Sequence, residues 1–424
     1  MPTDHPLRLS LANEVHARPP EWLEAPTRAT HMVFITSPED KAPELEHLRL
    51  LCEKFGETAP TSETAHFAAD LDSVRLKWER HGEFSSYTFF AKGLSEARFT
   101  QSAIAMLPTD WVRKIPGTTI FAAHAELISC HDREPDLDAI SRDFEGNTVV
   151  GGRIGRGAGF AFADFTIHAD GFSRFLVLSR TLTQRQSGRM MQRLFEIETY
   201  RMMAMLALPL AREQFKHLSV IERSLSELTD DIASRSASDD SLLQNLTNLA
   251  AEVENMLAAS QFRFGACKAY HELVLRRIAE LREQRLSGTQ TIGEFMTRRF
   301  TPAAATCSST SQRLNEISER VSRTSSLLST RVDIAREAQN NSLLGSMNRR
   351  AQLQLKLQRT VEILSVIPIT YYLVGLVGYI LRAFTALAPS IEIDFIEAAA
   401  TPIAAISVIL AVRRAHRKLV EKPN

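Results

Sequence analysis

Three groups of side chains in this sequence have the types and spacing to do chemistry. The first, Asn13, Glu14, His16 and Arg18, sits just ahead of the pair Pro19-Pro20. Prolines there cannot continue a helix, so the four lie on a loop or an extended arm. Such an arm could be a binding or catalytic cluster, or a strap packed on the domain. The second group is Asp164, His168 and Asp170. By the period of two they share one face of a strand, where carboxylates and an imidazole could hold a cation. Asp170-Gly171 is also the dipeptide that a hairpin turn favours.

The third is Gly151-Gly152-Arg153-Ile154-Gly155-Arg156-Gly157-Ala158-Gly159, five glycines in nine residues. A glycine-rich loop can approach a phosphate because no Cβ blocks the backbone N–H groups, and two arginines add charge. The segment lacks the Lys-Ser/Thr ending of a P-loop, and an apolar strand (Phe160 to Ile167) follows where both nucleotide fingerprints need a helix. A glycine-bearing turn or bulge between strands suits that context better. No nucleophile, base and orienting residue can be assembled from these groups, so the chain is not read as an enzyme, and neither a cofactor nor a particular metal is implied.

The elements that must carry these residues can be read in order. His31 to Thr36 reads as a strand; Ser37-Pro38 starts a helix, with Leu45, Leu48, Cys52 and Phe55 at helical spacing until Gly56. From Ser73 the pattern alternates, Val74, Leu76 and Trp78 against Arg75, Lys77 and Glu79, then a turn at His81-Gly82 and a second run Phe84 to Phe90, which makes a hairpin. Ser95 to Met106 reads as helix, and Thr118 to Ile128 and parts of 148–180 as strands. Residues 1–180 are therefore expected to form a mixed α+β cytosolic domain, followed by a long helical, coiled-coil-like region over 181–360. There a helix from about Arg185 to Ile232 should kink at Pro209, its methionines filling the core. The next, capped by Asp239 or Asp240 and running to about Leu286, carries Leu242, Leu246, Leu249, Val253 and Met256 at heptad spacing. Beyond Thr301-Pro302 come Leu314, Ile317, Val321, Leu328, Val332 and Ala335, near heptad spacing again.

That last helix runs without a breaker other than Gly345 into Ile363–Leu381, nineteen residues with no formal charge. About twenty helical residues cross a hydrocarbon core, so the stretch reads as a membrane span. A weaker apolar run, Ala398 to Val412, completes a C-terminal two-helix transmembrane hairpin over 361–413, with a basic tail at 414–424. Arg349, Arg350, Lys356 and Arg359 precede the first span, and Arg413, Arg414, Arg417 and Lys418 follow the second. The connecting loop carries the acidic Glu392, Asp394 and Glu397. The positive-inside rule then puts both termini in the cytosol and this acidic loop outside, with Arg382 alone against it.

Composition agrees with a mostly soluble chain. The 50 basic and 50 acidic residues balance to a net charge of zero, which argues against general nucleic-acid affinity. The 4 cysteines form no C-x-x-C pair, so neither a zinc site nor a disulfide framework is expected. The N-terminus has no apolar core of signal-peptide length, so no secretion is expected.

Several phrases resemble a bacterial membrane-protein family of unknown function. They are Asn13-Glu14-Val15-His16-Ala17-Arg18-Pro19, the run from Asp164 through His168 and Asp170-Gly171-Phe172 to Phe175, Glu196-Ile197-Glu198-Thr199-Tyr200-Arg201-Met202, and the stretch from Arg331 to Gln358. The resemblance implies a location in the bacterial inner membrane and supplies no activity. The architecture is also similar to that of the CorA-type magnesium transporters, which assemble as pentamers with the first span lining the pore. That similarity implies a homo-oligomer passing a divalent cation such as Mg²⁺. Pro368, Tyr371, Gly375 and Gly378 share one helix face, with Tyr379 beside it, as pore-lining residues must. Where those transporters end their first span in Gly-Met-Asn, this chain has Gly378-Tyr379-Ile380, and Gly375 and Gly378 also suit close helix packing. Two readings follow: an oligomeric cation channel or transporter, or a non-transporting membrane-anchored sensor or scaffold for an unidentified partner. A membrane-held enzyme using His16 with Glu14, or the Asp164 group, is a third.

Overall fold

A computed structural model describes residues 4–9, 11–12, 19–62, 64–130, 134–234, 237–384 and 393–420. The chain divides into two compact units, residues 1–325 and 326–424.

The first unit is built on an eight-stranded sheet. Its strands are β1 (Thr27–Ile35), β2 (His66–Leu71), β3 (Val74–Arg80), β4 (Phe84–Lys92), β5 (Thr118–Ser129), β6 (Val150–Ile154), β7 (Gly159–Ala163) and β8 (Ser173–Ser179). They lie in the order β2-β3-β4-β1-β5-β8-β7-β6, antiparallel throughout except for the parallel pair β5 and β8. The expected strand at His31, the hairpin around Gly82 and the strand from Thr118 are all present. Both faces are covered. Helix α1 (Lys41–Phe55) packs Leu48 and Leu51 with Leu76, Trp78, Tyr87 and Phe89 on one face. It is fastened by Glu44, fully buried, whose carboxylate accepts from Trp78 Nε1 at 2.9 Å, Tyr87 Oη at 3.0 Å and Arg80 at 2.8 Å. Gly56 ends it in the left-handed conformation, φ 73°.

Short helices α2 (Thr109–Arg113) and α3 (Leu137–Asp143) lie in the connections. Between Ser95 and Met106 only the single 3-10 turn Ala103–Met106 forms, so the helix expected there is corrected. The opposite sheet face receives α4 (Gln184–Met205), whose Met191, Leu194 and Phe195 join Val33, Ala125, Phe175 and Val177 in the main core. Each such side chain contributes about 2 kcal/mol by leaving water. The methionines fill the core, as their place on the apolar stripe implies.

The helix expected over about 185–232 is two, α4 and α5 (Ala207–Ser234), because Pro209 has no N–H for the carbonyl four residues earlier and its ring crowds it. Helix α6 (Asp239–Leu281) is capped by Ser238, whose hydroxyl accepts from Ser241 N, rather than by an aspartate. It stops before Leu286 because Arg282 turns left-handed, φ 52°, and sends the chain to the sheet edge. After α7 (Ile292–Arg299), α8 (Thr301–Phe384) begins at Thr301 itself, with Pro302 in its first turn, where a missing N–H costs nothing. The heptad expectation holds in this unit. Leu218, Ile221, Leu225 and Leu228 of α5 are buried at alternating steps of three and four, as are Leu242, Leu246, Leu249 and Val253 of α6 and Leu314, Ile317 and Val321 of α8. Arg313 of α8 ties the seam to Glu222 of α5 at 2.7 Å.

In the second unit α8 is one continuous helix as far as Phe384, and its residues 333–361 are exposed. Within 363–380, Ile363, Leu364, Ile367, Tyr371, Tyr372, Leu376 and Tyr379 are exposed around the helix. Among the described residues α8 is the one helix long and apolar enough to cross a membrane. The second expected span falls in α9 (Ile393–Val420), whose apolar stretch Ala398–Ala411 is shorter than that of α8. Asp394 and Glu397 belong to the first turns of α9 rather than to a loop, and Glu392 lies outside the described residues.

Candidate functional site

Of the groups singled out in the sequence, Asn13, Glu14, His16 and Arg18 lie outside the described residues. The backbone just beyond them is strapped to α4. Leu23 N donates to Gln184 O at 3.1 Å, and a Cβ at Gly188 would stand 1.6 Å from Glu21 O, so only glycine lets the strap pass.

Asp164, His168 and Asp170 are not on a strand face. β7 ends at Ala163, and Phe165, at φ 54°, turns the chain out of the sheet. The loop then folds on itself. His168 Nε2 lies 2.8 Å from Asp164 Oδ2 and its Nδ1 3.2 Å from Glu145 Oε2, with the His168 and Asp164 side chains 1% and 0% exposed. Asn147 Nδ2 donates to the same Asp164 oxygen at 2.9 Å, and Asp164 Oδ1 accepts from Thr166 N. Asp170 accepts from Phe172 N at 2.9 Å and makes the turn that Asp-Gly favours. The imidazole and the carboxylate are occupied by one another and by their neighbours. Among the described residues no group of three His, Cys, Asp or Glu side chains is placed to hold a metal ion.

The glycine-rich run is the β6–β7 hairpin. A Cβ at Gly151 would meet Ala161 O at 2.0 Å and one at Gly152 would meet Gln284 O at 2.6 Å. This close approach lets the chain after α6 extend the sheet edge: Arg153 N donates to Gln284 O at 3.0 Å, and Gln284 N to Arg153 O at 2.9 Å. Those two amides serve the sheet edge rather than a phosphate cradle.

The space lies elsewhere. A cavity of about 210 Å³ opens between the sheet and α4. Its floor is a patch of alternate residues on three strands: His31 of β1, Ser86, Thr88 and Phe90 of β4, and Lys77 and Glu79 of β3. Registry sets Lys77, Thr88 and His31 side by side in one cross-strand row, and Glu79 opposite Ser86 in the row beside it. The roof is one face of α4, with Gly188, Gln192, Phe195, Glu196 and Thr199 at helical spacing, closed by Arg277 of α6 and by Glu21 of the strap.

The charges here are held in pairs, and the pair on the floor is the one largely out of water. Lys77 Nζ is 3.2 Å from Glu79 Oε1, with the two side chains 10% and 12% exposed. Arg277 pairs with Glu196, which also accepts from Gln192 Nε2 at 2.7 Å. Glu21 is engaged by Arg75 Nε at 2.7 Å. His31 contacts Thr88 Oγ1 through Nδ1 at 2.8 Å and stacks on Phe195 with ring centres 4.6 Å apart. Burial, with the nearby charge of Lys77, pulls its pKa down to about 3, so it is neutral at physiological pH.

Over residues 3–419 the chain matches the family described as a protein of unknown function, DUF3422. It belongs to that family. No curated protein and no solved structure matches it. In this member of the family, three residues of the phrase Glu196–Met202, namely Glu196, Thr199 and Tyr200, line the cavity. Glu198, buried, instead holds Arg201 Nε at 2.9 Å. Lys77 and Glu79 were visible in the sequence only as the polar half of an alternating strand. His31 and Arg277 carried no signal of their own.

The pore-lining candidates divide by exposure: Pro368, Tyr371, Gly375 and Tyr379 are exposed and Gly378 is buried.

Proposed function

We propose that this protein is a membrane-anchored sensor whose sheet unit takes up a small polar ligand in the cavity between β1, β3, β4 and α4. The observation that carries this reading is the largely buried Lys77–Glu79 pair beside open space. Removing two charges from water costs several kcal/mol per ion, and a well-packed apolar pair would stabilise the sheet at least as well. An ion pair kept at a cavity wall is readily accounted for by recognition of a ligand. The chain combines this site with the apolar segment of α8, which anchors it.

We take the anchor to be a two-span hairpin in the bacterial inner membrane with both termini cytosolic. The flanking arginines and lysines support this, as does the burial of Gly378, Ala404 and Val408 within apolar helices. The test of the site is calorimetry on the full-length protein in detergent against a set of small polar metabolites. One or more should bind saturably, and Lys77→Met should weaken that binding at least tenfold. Binding that Lys77→Met leaves untouched would move the site elsewhere.

A second reading, a CorA-like homo-oligomeric channel for a divalent cation, draws on Pro368, Tyr371, Gly375 and Tyr379, which are exposed along α8 and open to partner copies. It requires Mg²⁺ flux into liposomes carrying the protein. Flux no greater than in empty liposomes would remove it.

A further inference from the structure

We propose that the ligand of this cavity is a small zwitterion of the amino-acid type, with a carboxylate and an ammonium group on one compact frame. This inference rests on the cavity being a ligand site, and it follows from how charge is distributed over the lining.

The lining supplies three carboxylates, Glu21, Glu79 and Glu196, two fixed cations, Lys77 and Arg277, and, besides His31, a second imidazole, that of His81, stacked on Phe84. Glu21 is engaged by Arg75, on the strap side of the sheet, which leaves two acids against two bases. His31 adds no charge, because it is buried and held by two hydroxyls, Thr88 Oγ1 and Thr199 Oγ1. A partly open site with a balanced lining disfavours a ligand of net charge, since the excess would sit beside buried pairs without a partner of its own. It accepts a ligand whose own charges balance.

The balance is also spatially resolved. Lys77 and Glu79 stand two residues apart on one face of β3, with their charged ends 3.2 Å apart. The ammonium of Lys77 has three donors, of which the contact with Glu79 uses one, so two can meet an incoming carboxylate. Glu79 presents a carboxylate on the same wall for an incoming ammonium. Across the cavity Glu196 pairs with Arg277, which Glu280 of α6 also holds at 3.1 Å. A molecule bearing both charges slots between these pairs and exchanges their internal contacts for its own, whereas a lone anion or cation can satisfy only one member of each.

Size and the remaining wall narrow the class. A volume of about 210 Å³ equals roughly seven waters, the scale of a small amino acid. Phe84, Phe90 and Phe195 supply an apolar and aromatic wall, suited to an aliphatic side chain and to the face-on approach of an ammonium. Ser86, Thr88 and Thr199 add hydroxyls that donate or accept without changing the balance.

The experiment is calorimetric titration of the full-length protein in detergent with each of the twenty amino acids. The best binder is then compared with its C-terminal amide, which is cationic, and its N-acetyl derivative, which is anionic. At least one amino acid should bind saturably, and both derivatives should bind at least tenfold more weakly. Glu79→Gln should weaken the amino acid tenfold and strengthen the anionic N-acetyl derivative, which the unpaired Lys77 then meets, a charge-specific pattern that a merely structural role would not produce. Melting curves of the variant establish that it is folded. Equal binding of either derivative, or no saturable binding by any amino acid, overturns the zwitterion. A panel of uncharged polyols and sugars separates the two proposals: if one of these binds and Lys77→Met weakens it, the site stands and only the ligand class is wrong. If Lys77→Met alters no titration, the site reading falls as well.

Discussion

Two polar clusters in the sheet unit are made of similar residues and are opposite in character. Around Asp164 and His168 a buried imidazole and carboxylate face each other at 2.8 Å, and Glu145, Asn147 and the backbone of Thr166 take up their other contacts. Around Lys77 and Glu79 a buried ammonium and carboxylate face each other at 3.2 Å beside a cavity. The first cluster locks a loop that leaves the sheet; the second lines a space between the sheet and a helix. Residue type does not separate structural from recognitive chemistry here. Vacant volume does.

The comparison can be broken from either side. Asp164→Ala strips His168 and Asn147 of a shared buried acceptor, so it should destabilise the protein by roughly 3–5 kcal/mol in denaturant melts while ligand affinity holds. Affinity falling in step with stability would mean that the two clusters are one system. Gly188→Val should cost about 2–3 kcal/mol and also abolish binding, because the new side chain collides with the strap at Glu21 that closes the cavity.

Acid should act through two buried histidines, His124, whose pKa burial pulls down to about 4, and His31, which shows the larger shift. Its folded pKa, about 3, lies below the ordinary 6.5, so protonation favours the unfolded chain. The contribution of His31 to stability is complete above pH 6.5 and is lost at up to about 1.4 kcal/mol per pH unit between 6.5 and 3. Melting temperatures of His31→Asn across that window should show a shallower slope than those of the native protein. The smallest effect on stability should come from replacing the cavity pair. Lys77→Met with Glu79→Leu should be neutral or about 1 kcal/mol more stable, and should bind nothing. A large destabilisation of the double variant would make the pair structural, like the Asp164 cluster.

Much of the frame was legible because its causes are local. Ser37-Pro38 and Gly56 bound a helix by capping and backbone conformation, and His81-Gly82 turns a hairpin. Leu242 to Val253 and Leu314 to Val321 announce a seam by their spacing, and Ile363–Leu381 an apolar helix by its length. Asp164 and His168 were legible as residues but not as a site, since Phe165 leaves the strand and cancels the period of two. The glycines from 151 to 159 read as a turn between strands, which they form as the β6–β7 hairpin, but that Gly152 also admits Gln284 at the sheet edge joins residues more than a hundred apart in the chain.

The sequence by itself determined the alternation in β3, the heptad seam and the apolar segment, because each follows from side chains within a few residues of one another. It could not say what covers the polar side of β3. Arg75, Lys77 and Glu79 have the pattern of a solvated face, and only the packing of α4 across the sheet turned Lys77 and Glu79 into the wall of a cavity. That covering depends on Gly188 passing the strap and on Arg277 arriving from α6, contacts between residues far apart in the chain, which no local pattern encodes.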